Sequence, residues 1–139
     1  MGLVHAQIEL INGEDLGLAR NGFIRPEGVK RITVNALVDS GSYMLAINEV
    51  IQAQLQLPVV EKRKALLANG HVVECDVVSP IEIRFKNRRS SGSALVLPGQ
   101  AEPLLGAIPM EDMDVIIHPL RQELIVNPEH PNFVQMSLK

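Results

Sequence analysis

The chain has 139 residues, 46% of them hydrophobic and 21% charged, and its 13 basic and 16 acidic side chains leave a formal net charge of -3. A chain of that size can bury one core without disulfide or metal staples, and its usage matches neither a disordered nor a membrane protein. Its charges are interspersed and aromatics make up only 3%, with no Trp, so nothing favours a nucleic-acid surface, which needs basic stripes and stacking platforms. Cys75 is the only cysteine, which rules out an intramolecular disulfide. His5, Glu9, Glu14 and Asp15 stand where a signal peptide would need an apolar run, and no apolar stretch approaches bilayer length. The expectation is a cytoplasmic protein with no membrane role, organised as one domain over residues 1–139, with 127–139 as an extended tail.

From the start, Val4 to Leu10 alternates apolar and polar residues, predicting a strand that buries Val4, Ala6, Ile8 and Leu10 on one face. Residues 12–30 hold Asn12-Gly13, Gly17, Asn21-Gly22, Pro26 and Gly28, and read as a loop or loose hairpin with at most a short strand at Phe23-Ile24. A second alternation, Ile32, Val34, Ala36 and Val38, predicts a strand that runs into Asp39 and stops at the turn former Ser40-Gly41. Ile47, Val50, Ile51 and Leu55 then recur at helical spacing, closed by Pro58.

Strands are expected again at Lys64 to Leu67, Val73 to Val77 and Ile81 to Phe85, with the hairpin signal Asn69-Gly70 between the first two. Asn87 to Gly92 reads as a polar turn, Ala94 to Leu97 as a strand, and Leu104-Leu105-Gly106 as another strand end. Pro109 with Glu111 and Asp112 suits a first helical turn. Val115 to Ile117 and Leu124 to Val126 complete the strands, joined by a turn at Pro119. The predicted class is mainly β, with one or two short helices.

Val38-Asp39-Ser40-Gly41 alone fits an ordinary turn, since Asp, Ser and Gly are what turns select. Its setting is more specific: an apolar strand delivers Asp39, a hairpin follows at Ala68-Asn69-Gly70-His71, and a second apolar-apolar-Gly strand end comes at Leu104-Leu105-Gly106. This layout resembles the retropepsin-like, retroviral-type aspartic proteases over nearly the whole chain. The resemblance implies a closed β-barrel, half of an acid protease. It implies that Asp39, Ser40 and Gly41 form the catalytic loop, that Ala68, Asn69, Gly70 and His71 tip a substrate-covering flap, and that Leu104, Leu105 and Gly106 form the late structural motif. Ser40 stands where Thr is commoner, Ala107 where retroviral enzymes usually carry Arg, and the hairpin tip has a single Gly.

In that setting Asp39 supplies proton exchange, Ser40 can brace the loop through its hydroxyl, and Gly41 allows a close approach that a Cβ would obstruct. Hydrolysis of this kind needs one carboxylate to activate water and one neutral carboxyl to polarise the carbonyl. Only one Asp-Thr/Ser-Gly occurs, so the second carboxyl must come from an identical subunit. The expected function is a homodimeric aspartic endopeptidase acting on peptides or proteins; the alternative is a non-catalytic dimeric module of the same fold that binds peptides or serves assembly. An unrelated β-barrel with an incidental turn is a third reading.

No cofactor or metal is expected: His5, His71, His118 and His130 are scattered and form no ligand spacing with Cys75. Cys75 falls on an apolar strand face and reads as a small core residue before a nucleophile. Glu111, Asp112 and Asp114 read as acids at a helix start, and Glu61-Lys62-Arg63-Lys64 as a solvated strand end.

Overall fold

The structure is a computed structural model that describes residues 3–138. The fold is mainly β. Strand β1 (His5–Asn12) pairs antiparallel with β2 (Arg31–Val38) from His5 opposite Leu37 to Ile11 opposite Arg31. The predicted alternation holds, with Val4, Ala6, Ile8 and Leu10 buried.

Between these strands the expected loop contains a helix, α1 (Gly13–Arg20). The turn formers misled here because Asn12 acts as a helix cap. Its Oδ1 accepts from Asp15 N–H at 3.0 Å, and its Nδ2 donates to the Leu55 carbonyl at 2.8 Å. Asp15 in turn accepts from the backbone N–H and the Nζ of Lys30 at 3.0 and 3.1 Å, closing the segment back onto β2. Phe23 and Ile24 form no strand, and Phe23 is exposed.

After β2 come β3 (Leu45–Asn48), α2 (Glu49–Leu55), β4 (Val59–Leu66), β5 (Val72–Phe85), β6 (Arg88–Leu97), β7 (Leu104–Leu105) and α3 (Ala107–Met113). Ile47 lies on β3, not on the helix. That strand sits between β6 and β7 with all four residues buried, so its apolar run has no alternation to distinguish it from a helix. The helix starts one residue after Asn48, whose Oδ1 accepts from Ile51 N–H at 2.9 Å. The expected polar turn at 87–92 shrinks to Lys86 and Asn87, and Arg88 to Gly92 belong to β6. Inward-facing Arg88 and Ser90 are buried because the tertiary structure supplies partners, the His130 carbonyl and, at 2.7 Å, the Asp112 carboxylate.

Helix α3 begins at Ala107, so Glu111 and Asp112 fall in its second half and Asp114 follows it at φ 55°. The dipole does not account for these acids. Asp114 instead accepts from Asn127 Nδ2 (3.1 Å), His130 Nδ1 (2.7 Å) and Gln135 N–H (3.2 Å). It thereby ties down a segment that has neither helix nor strand after Val126; the last residue of the predicted tail, Lys139, lies outside the described residues.

The main sheet runs β1-β2-β7-β3-β6-β5-β4, and β1 also pairs with β5, so hydrogen bonding passes round six strands and returns to β1 while β4 continues outward. Ile8, Leu10, Leu45, Ile47, Leu55, Ile81, Leu105 and Met113 pack within this arrangement. Strand β5 is one long strand rather than two; a bulge between Val78 and Ile81 turns Ile81, Ile83 and Phe85 toward that core, whereas Cys75 faces a smaller cluster with Ala46 and Leu97. A separate two-stranded sheet joins β8 (Val115–His118) to β9 (Glu123–Val126). None of the described helices is long and apolar enough to cross a membrane.

Two carboxylates are held below their ordinary pKa in this fold. Burial works to raise Glu82, but the hydrogen bonds and charges of Arg89 (2.9 Å) and Arg84 (2.7 Å) outweigh it and hold the carboxyl below its ordinary value. For Asp114, burial is likewise outweighed by its Asn127, Gln135 and His130 partners. A lowered folded-state pKa adds stability that is complete above the unfolded-state value and is lost as pH falls through the folded one. Urea midpoints should therefore drop below about pH 4. The Glu82→Gln/Asp114→Asn double variant should be less stable at pH 7 and show a flatter acid limb; an unchanged limb would remove these two groups from the explanation.

Candidate functional site

The site is built where β2 ends. Val38 N–H donates to the Val4 carbonyl at 2.8 Å, and Leu37 N–H to the Pro103 carbonyl at 2.9 Å, so β2 is held on both edges. Beside it, β7 runs parallel, with Leu37 opposite Leu104 and Val38 opposite Leu105. Asp39 N–H extends this ladder by donating to the Leu105 carbonyl at 3.0 Å. The chain then turns: Ser42 N–H donates to the Asp39 carbonyl at 3.0 Å, and Gly41 N–H donates to Asp39 Oδ1 at 2.9 Å. The carboxylate, half-buried, is thus oriented by its own loop.

The loop is fastened to α3 by the unpaired donors of that helix. Ala107 N–H donates to the Ser42 carbonyl at 2.8 Å and Ile108 N–H to the Tyr43 carbonyl at 3.0 Å, so two N–H groups that no helical carbonyl can reach are satisfied by the Asp39 turn. Gly106 permits this contact. A Cβ there would lie 2.5 Å from the Met44 carbonyl oxygen and 2.7 Å from that of Ser42.

Asp39, Ser40 and Gly41 therefore lie beside Leu104, Leu105 and Gly106. The roles within the loop differ in detail. Ser40 is exposed, and its hydroxyl braces nothing among the described residues; the bracing hydroxyl is that of Ser42, which donates to the Met44 carbonyl at 3.2 Å. Gly41 has no left-handed φ; its smallness matters because a Cβ would stand 3.2 Å from Asp39 Oδ1.

Ala68, Asn69, Gly70 and His71 form the exposed tip of the β4–β5 hairpin. Gly70 at φ 85° makes the turn, Asn69 Oδ1 accepts from His71 N–H at 2.9 Å, and Leu67 N–H donates to the His71 carbonyl at 2.8 Å. Below the tip Leu67, Val73 and Cys75 pack in one cluster with Leu97 and Leu104. Burial first, and then the negative charge of Asp76, push the Cys75 thiol up, so it is held as a thiol in this cluster. His71 is exposed, His5 meets Glu102 at 2.5 Å and His130 meets Asp114, so the histidines are dispersed. Among the described residues no three His, Cys, Asp or Glu side chains gather as a metal site.

Asp39 opens into a hollow of ≈ 430 Å³ lined by Leu3, Val4, Leu37, Val38, Ile117 and Gln122. The sequence motifs did not reveal this wall, because Ile117 and Gln122 reach it from the β8–β9 hairpin far along the chain. A second hollow of ≈ 180 Å³ lies where Tyr43, Met44 and Leu45, just past the Asp39 turn, meet Ile108 and Pro109.

The family model described as aspartyl protease matches residues 24–119, well over half of the chain and spanning the Asp39 loop, the hairpin tip and Leu104 to Gly106. No curated protein matches the chain.

Proposed function

The chain belongs to the aspartyl protease family, and from that premise we propose that it is a homodimeric endopeptidase in which the Asp39 carboxyls of two subunits activate one water against a peptide bond. The observation that carries this reading is the Asp39 carboxylate itself: Oδ1 is fixed by Gly41 N–H, on a loop tied to β7 and α3, and the group lines an open hollow. A rigid, accessible carboxylate is what general acid–base work requires.

Two such carboxyls brought together at a two-fold axis share one proton, because adjacent like charges resist simultaneous ionisation, as in aspartic-protease dyads generally. The ionised member takes a proton from water as its oxygen attacks the carbonyl carbon. The neutral member donates its proton to the carbonyl oxygen. Collapse of the resulting tetrahedral species transfers a proton to the leaving nitrogen, breaks the C–N bond and leaves one proton shared again.

The substrate is an extended peptide covered by the β4–β5 hairpin, with Ala68, Asn69, Gly70 and His71 at the covering tip. The apolar lining of the hollow at Asp39, Leu3, Val4, Leu37, Val38 and Ile117, favours hydrophobic side chains near the cut.

Subunit mixing tests the shared site directly. If each site needs both Asp39 carboxyls, equilibrating the protein with an equal amount of Asp39→Asn chains should lower activity per unmodified chain to about half, as random pairing dictates. Activity per unmodified chain that stays constant on mixing would show that one chain suffices.

A further inference from the structure

We infer that Asp114 and His130 form a polar latch that positions the β8–β9 hairpin as a wall of the Asp39 hollow. This rests on the peptidase reading above and names two positioning residues for that site, remote from the reacting atoms.

The hairpin needs such a device. Strands β8 and β9 form their own two-stranded sheet outside the main one, and a pair of strands gains little stability alone. Val115 and Leu124 anchor it in the core, while Ile116 is exposed. Ile117 and Gln122, which flank its turn, line the hollow into which Asp39 opens.

The latch sits at the other end of the hairpin. Val115 pairs with Val126, and the residues just outside that pair, Asp114 and Asn127, are joined twice. Asn127 N–H donates to the Asp114 carbonyl and Asn127 Nδ2 to Asp114 Oδ1, both at 3.1 Å. Asp114 Oδ2 meets His130 Nδ1 at 2.7 Å and accepts from Gln135 N–H at 3.2 Å. His130 is fixed in turn: its N–H donates to the Asn127 carbonyl at 3.0 Å, and its carbonyl accepts from the buried guanidinium of Arg88 at the start of β6. Asn87 Nδ2 donates to the Pro131 carbonyl at 2.9 Å. The base of the hairpin is thus bonded to the β5–β6 turn through Asp114 and His130.

Two features set this apart from ordinary packing of a chain end. Phe133, Met136 and Leu138 are exposed, so apolar burial is not what holds this segment, whereas the polar contacts to Asp114 are in place. Asp114 also stands at φ 55°, a left-handed conformation that glycine adopts more easily. What glycine could not supply is the carboxylate that gathers Asn127, His130 and Gln135.

A wall displaced by even about 1 Å changes how an extended peptide is seated against Asp39, so a change far from the chemistry can be felt there. Ile117 and Gln122 carry no proton to the reaction. Loss of the latch therefore weakens binding of ground state and transition state alike, and raises KM more than it lowers kcat.

The test combines steady-state kinetics on a cleavable peptide with hydrogen-exchange mass spectrometry. It uses the full chain, Asp114→Asn, His130→Ala, the double variant, and Glu82→Gln, which removes another buried, ion-paired carboxylate outside the hairpin. Asn keeps the size of Asp114 and tolerates the left-handed conformation, so Asp114→Asn weakens the latch without disturbing the turn. Asp114→Asn and His130→Ala should each raise KM about fivefold or more with kcat within about twofold. The double variant should go no more than about twofold beyond the stronger single one, because both break one contact. Amides of residues 115–126 should exchange faster in these variants, and those of β2 should not. Glu82→Gln should melt earlier yet leave KM and hairpin exchange unchanged. An unaltered KM in both latch variants, a KM raised as much by Glu82→Gln, or specific activity that falls on dilution in the latch variants alone overturns the positioning role. An unmodified chain that cleaves no peptide fails the peptidase reading instead; hairpin exchange then decides the latch, and unchanged exchange in both variants overturns it.

Discussion

Asp39→Asn is expected to lower kcat/KM for peptide hydrolysis by about 10³-fold or more, the size of effect that loss of a general acid–base group produces. The substitution is close to silent for the fold. The asparagine Oδ1 can still accept from Gly41 N–H, and the backbone bonds of Asp39 to Leu105 and Ser42 do not involve the side chain. What is lost is a proton that can be exchanged at that position. The measurement is steady-state cleavage of a peptide library, alongside thermal melting and sedimentation of the same preparations. Unchanged melting and an intact dimer with cleavage reduced by this factor mark Asp39 as chemical in role. Cleavage within tenfold of the original would assign the chemistry to another group, and peptide binding without cleavage in the unmodified protein would favour the non-catalytic module.

The second large effect concerns stability. Gly106→Ala places a Cβ 2.5 Å from one backbone carbonyl oxygen and 2.7 Å from another, and neither belongs to a flexible side chain. The loop from Ser42 to Met44 must move away, which strains the hydrogen bonds from Ala107 and Ile108 that fasten it to α3. A loss of about 3 kcal/mol is expected, at the upper end for overpacking, or a fall in Tm of roughly 10 °C for a chain of this size. Gly92→Ala is the comparison, because a Cβ there meets nothing within 4 Å; it should stay within about 0.5 kcal/mol. Since the displaced loop carries Asp39, residual folded Gly106→Ala protein should also cleave more slowly than its folded fraction accounts for. Equal melting of the two variants would show that the 42–44 backbone yields easily.

The parts of the fold legible in the sequence are those governed by neighbours along the chain. Alternation disclosed β1 and β2 because each has one buried face, and Asn69-Gly70 marked its turn because Gly70 adopts a conformation that glycine tolerates. Where a distant partner decides, local signals failed. Asn12-Gly13 looks like a turn, yet Asn12 caps α1 while bonding Leu55. Arg88 and Ser90 look solvent-facing, yet they are buried against His130 and Asp112. Glu111 and Asp112 suggest a helix start only while the boundary set by Gly106 is unknown.

The site divides along the same line. The sequence by itself determined that a strand delivers Asp39 to an Asp-Ser-Gly turn and that this tripeptide occurs once in the chain. Composition of a tripeptide and its count require no partner to be known. Tertiary structure alone decided that Leu105, Gly106 and α3 hold that turn, that Ser42 rather than Ser40 braces it, and that Ile117 and Gln122 help to wall the hollow beside it. Those contacts join segments remote in the chain through backbone hydrogen bonds and close packing, to which side-chain pattern is nearly blind because every residue but proline offers the same N–H and C=O groups.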